Sequence, residues 1–205
     1  MSFHRTLTMS AMLAPQVLIL VLAAGAAFAH PGHPGGQPAA LGFAGGFAHP
    51  FGGLDHLLAM VAVGLWAIQH GSRRALWLLP LSFVLPMAGG FLLALAGIAL
   101  PGVEAGIALS VLILGLLVAF AVRPPLAAAM AVTAVFALLH GHAHGTEMGD
   151  ASQAALYAGG MVLATALLHA GGLAAARLAQ QAALPALTRA AGAAVALAGI
   201  VILVG

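Results

Sequence analysis

The sequence predicts an all-α membrane protein, with six transmembrane helices following a cleaved N-terminal signal peptide. Three observations carry that expectation. The chain of 205 residues is 63% hydrophobic and only 5% charged, whereas a soluble domain holds about 25% charged residues. Its mean hydropathy is +1.13. Its apolar residues are gathered into runs of about 20, the length a helix needs to cross a bilayer. Lysine and cysteine are absent and the arginines are scattered. That composition excludes a basic nucleic-acid surface, a disulfide, a thiolate metal site and a P-loop lysine. The unusual feature is ten histidines against four acidic residues.

Residues 1–29 read as the export signal. Arg5 precedes the apolar stretch AMLAPQVLILVLAAGAA, and AFA at 27–29 is a small-x-small cleavage site. Cleavage after Ala29 makes His30 the first mature residue. Residues 30–49, opening HPGHPGGQP, then form a short arm on the exported side that carries His30 and His33. Residues 50–205 form the transmembrane domain, with spans expected at about 50–70, 75–99, 103–122, 125–144, 153–177 and 184–204. The breaks are HGSRR, LPGVE, RPP, GTEMGDAS and RLAQQAALP. All are too short for an inserted soluble domain, and the many Gly and Ala residues suit close helix packing.

Arginine orients the spans. With the mature N-terminus exported, Arg73, Arg74, Arg123, Arg177 and Arg189 all fall on the cytoplasmic side, a positive-inside pattern. Both mature termini, with Glu104, Glu147 and Asp150, fall on the outer side.

Two histidine–carboxylate groups meet at that outer face. His49 and Pro50 start the first span, and His56 follows His49 by seven residues, on the same face if the helix reaches that far back. Asp55 either ligates from the side or orients a neighbouring imidazole. At the outer end of the fourth span, His140, His144 and Glu147 line one helical face, while His142 points elsewhere. Ionisable groups near membrane depth are costly unless paired, and so mark function. Imidazole and carboxylate without sulfur suit Ni2+, Zn2+, Co2+ or Cu2+. The candidate metal residues are therefore His30, His33, His49, Asp55, His56, His140, His144 and Glu147. His169 and His142 are candidates for a transport path, with Thr133, Thr165, Gln69 and His70 as further polar groups. His70 also reads as an interfacial residue beside its arginine loop.

At these residues the chain resembles the HupE/UreJ family of bacterial nickel permeases. An H-x5-D-H signature stands as His49, Asp55 and His56, and an HG-x-A-x-G-x-E stretch stands as HGHAHGTE, His140 to Glu147. Leu139 precedes the second motif, at a position where the resemblance leads one to expect an aromatic in many relatives. The resemblance implies Ni2+ uptake across the bacterial inner membrane to supply hydrogenase or urease, by a secondary permease or facilitator rather than an enzyme. Metal would be cargo, with no cofactor. The partners would be the bilayer and Ni2+, or else Co2+, Zn2+ or Cu2+, and no nucleic acid. The residues alone leave two alternatives open: an intramembrane zinc hydrolase, or a membrane metal-sensing or chaperone subunit. The sequence sets no oligomeric state.

Overall fold

A computed structural model describes residues 42–148 and 151–205. The expected signal peptide, His30, His33 and Asp150 lie outside the described residues. Among those described, the fold is wholly helical: α1 (Gly42–Gly52), α2 (Leu54–His70), α3 (Ala75–Leu95), α4 (Val103–Ala119), α5 (Leu126–Glu147), a single 3-10 turn (Ala151–Gln153), α6 (Ala154–Gln181) and α7 (Pro185–Val204). Local chemistry sets the ends. Gly71 closes α2 in the left-handed region at φ 81°, its N–H donating to Ile68 O. Pro185 opens α7 where its missing N–H costs nothing.

By length and composition α3, α5, α7 and α6 with its 3-10 turn can cross a membrane. The pair α1 and α2 qualifies together as a fifth, broken span. Helix α4 is apolar but has 17 residues, or about 25 Å against a hydrocarbon core of about 30 Å.

The start of the domain departs from expectation. The first span is not one helix over 50–70, because α1 and α2 meet at 82° across Gly53. The last part of the expected arm, 42–49, is helical, and Gly42, Gly45 and Gly46 in it are buried. The physical reason is a glycine seam. A Cβ at Gly46 would strike the Tyr157 carbonyl, and one at Gly160 the Phe43 carbonyl, so α1 lies backbone-close against α6. Gly53 is extended at φ −103°, ψ 118° and breaks the helix.

Helix α2 is the axis of the bundle. His56 and nearly every residue from Leu58 to Gln69 are buried, between α3, α4 and α6. At its far end three side chains hold the α4–α5 turn. Trp66 Nε1–H donates to Val122 O (2.8 Å), Gln69 Nε2–H to Val118 O (3.1 Å) and His70 Nε2–H to Pro124 O (3.0 Å). Arg189 Nε–H joins them on Ala119 O at 2.9 Å. His70 thus has a structural role, and the Gln69 amide is committed there too. The polar chemistry at the other end of α2 is of a different kind.

Candidate metal centre

Four imidazoles converge where α1, α2, α5 and α6 meet. The His56 ring centroid lies 4.7 Å from that of His140 and 4.4 Å from that of His144. The His49 ring lies 4.7 Å from His144 and 6.1 Å from His56. The seven-residue spacing of His49 and His56 therefore works through the bend at Gly53, not through one helical face. His140, His144 and Glu147 do share a face of α5, as their spacing requires. Gly141 between them is set against α3 so closely that a Cβ would meet the Met87 carbonyl.

The cluster runs from an open to a closed end. His49 and Glu147 side chains are 31% and 51% exposed and pair at 2.9 Å, Nε2 to Oε2. His140 and His144 are fully buried. Ligand atoms of His49, His144 and Glu147 lie within 4.8 Å of one another. Donors at about 2.0–2.2 Å from one ion lie at most about 4.4 Å apart, so small rotamer shifts would close these three on a cation.

Hydrogen bonds settle what the deeper imidazoles offer. His56 Nδ1–H donates to Asp55 Oδ1 at 2.7 Å, and the same oxygen accepts the His56 backbone N–H at 2.7 Å. That leaves His56 Nε2 with its lone pair, buried and unpartnered. Asp55 Oδ1 thus accepts from the His56 ring, an arrangement common around metal-ligating histidines. Gly53 makes room for the pair, since a Cβ there would come within 2.8 Å of Asp55 Oδ1.

His140 is fixed by a residue the sequence reading missed. Ser110 Oγ–H donates to Ile107 O at 2.6 Å and lies 2.8 Å from His140 Nε2. A hydroxyl has one proton, so toward His140 Ser110 accepts, and His140 carries its hydrogen on Nε2. His140 Nδ1 is then the bare nitrogen, buried and unpartnered. His144 has neither ring nitrogen paired.

Two aromatic side chains missed in the sequence border the cluster. Tyr157, the sole tyrosine, lies 5.9 Å from the His49 ring and stacks on Phe91 at 6.1 Å. Phe83 lies 5.5 Å from the His140 ring. His142 is outside the cluster, as expected: its Nε2–H donates to Ile98 O at 2.8 Å, tying α5 to the α3–α4 turn. The other expected route hydroxyls are also occupied, Thr133 on Ala129 O and Thr165 on Met87 Sδ.

Comparison with known proteins agrees with the motifs. The model of the HupE / UreJ protein family matches residues 18–202. The curated Protein HupE of Rhizobium leguminosarum bv. viciae is 51% identical over 160 residues, covering 78% of this chain and 83% of that protein. No solved structure matches. The chain belongs to the HupE/UreJ family, a family of metal permeases rather than enzymes.

Proposed function

We propose that the chain takes up a divalent transition-metal cation, Ni2+ first among them, from the periplasm across the bacterial inner membrane, for hydrogenase or urease maturation. It acts as a secondary permease or facilitator. The observation that carries this reading is the set of buried, unpartnered nitrogens on His56, His140 and His144. A buried polar atom without a partner costs about 1–3 kcal/mol. The His56 ring lies 4.7 Å from that of His140 and 4.4 Å from that of His144. With His56 and His140 held by Asp55 and Ser110, these nitrogens are the part of the cluster that a cation entering at His49, His144 and Glu147 would satisfy. Nickel in particular follows from the family resemblance, because Co2+, Zn2+ and Cu2+ suit the same ligands.

Six spans account for the topology, with α1 and α2 bent into one and the short α4 accommodated by local thinning of the bilayer. Arg123 and Arg189 belong with the Trp66–His70 end, where Arg189 reaches Ala119 O. His56 and His70 stand about 21 Å apart along α2, so the arginine end and the histidine end face opposite sides. The arginine rule makes the histidine end periplasmic, with the mature termini outside.

Uptake of radioactive Ni2+ into proteoliposomes tests the reading. His56→Ala and His140→Ala should abolish it at equal protein content. Normal uptake in both would refute the shared site. Reporter fusions at Arg123 should read cytoplasmic and at Asp150 periplasmic, and N-terminal sequencing should begin at His30.

A further inference from the structure

We infer that His169 is an inner cation station, reached from the His56–His140 cluster past the ring of Phe83. The inference rests on the uptake reading and extends it to the middle of the bundle. His169 is 1% exposed, and both its ring nitrogens are buried with no partner. A neutral imidazole carries one N–H and one lone pair, so a donor and an acceptor are both left unmade. Among the described residues only His144 shares that state on both nitrogens, and His144 belongs to the metal centre. A plain helix–helix hydrogen bond is therefore not what His169 provides.

Its position is that of a relay. The ring meets Phe83 edge-on at 5.2 Å, and Phe83 lies 5.5 Å from His140. Phe83 is thus a partition between two imidazoles. The His169 carbonyl faces Gly64 on α2, about 12 Å beyond His56 along the helix axis. One turn earlier on α6, the buried Thr165 hydroxyl spends its proton on Met87 Sδ at 3.7 Å, leaving its oxygen able to accept. Farther along α2, Gln69 Oε1 is buried without a donor while its amide is held by Val118 O. Unpartnered acceptors thus recur from the metal centre toward the arginine end. One imidazole with a hydroxyl nearby would hold a partly hydrated divalent cation weakly. Conduction calls for such a station, tight enough to enter and weak enough to leave.

The test uses the full chain, purified and reconstituted, with Ni2+ as the probe. His169→Leu removes both unpartnered nitrogens and keeps an apolar side chain of similar size, so thermal unfolding should occur at or above the wild-type temperature. Ni2+ uptake should fall about tenfold or more, while equilibrium Ni2+ affinity stays within about twofold of wild type. Wild-type uptake in His169→Leu would overturn the inner station and leave the outer centre standing. A parallel loss of equilibrium affinity would also overturn it, because His169 would then act on the outer centre. Wild-type protein that binds no Ni2+ would overturn the uptake reading and the station with it.

Discussion

Ser110 offers a sharp perturbation, because one oxygen decides which nitrogen of His140 is bare. In Ser110→Ala the acceptor for His140 Nε2–H is lost at a fully buried position. The ring then loses its orientation, and its proton is free to sit on Nδ1, where it would block the lone pair. Leaving a buried donor unmade costs about 1–3 kcal/mol, and losing a residue that orients a metal-ligating histidine costs about 10–100-fold in affinity. At about 1.4 kcal/mol per tenfold, the two figures agree on a loss near the lower end, about tenfold, for a neutral hydroxyl. Isothermal titration of Ni2+ into purified protein measures it. Ser110→Thr, which keeps the hydroxyl, should retain more affinity than Ser110→Ala. The reasoning is refuted if Ser110→Ala binds Ni2+ as wild type does, or if Thr and Ala variants lose affinity equally.

Asp55→Asn should fold normally yet lose about 10–100-fold in Ni2+ affinity, since the neutral amide holds His56 Nδ1–H less firmly. Titration with a thermal-unfolding control checks it. His142→Ala should leave Ni2+ affinity near wild type and cost about 1 kcal/mol of stability through the lost bond to Ile98 O. Gly141→Ala should lower folded yield and the unfolding temperature, because its Cβ meets the backbone carbonyl of Met87 rather than a yielding side chain. Such overpacking costs about 1–3 kcal/mol or more.

The helix boundaries were legible because Pro, Gly and Arg punctuate the apolar runs. The expected 103–122, 125–144 and 184–204 correspond to Val103–Ala119, Leu126–Glu147 and Pro185–Val204. The bend at Gly53 was not legible. Hydropathy is continuous across it, and what turns α1 aside is contact with Tyr157 and Gly160, far away in sequence. The two histidine–carboxylate motifs were legible as groups that meet, and the structure brings His49, His56, His140, His144 and Glu147 together. Ser110 was hidden for a simple reason. A serine in an apolar helix usually bonds back to its own helix, as Ser82 does to Leu79 O, and only the fold shows that Ser110 also faces a histidine. Gln69 read as a polar group of a transport path. Its amide nitrogen clamps Val118, while its oxygen remains unpartnered.

X-ray absorption at the nickel edge, on purified protein loaded with Ni2+, tests most directly that the buried imidazoles bind the cation. The account predicts the multiple-scattering signature of more than one imidazole together with carboxylate or water oxygen. That signature should weaken in the His56→Ala/His140→Ala double variant. A spectrum of oxygen ligands alone, unchanged by the double substitution, would contradict it.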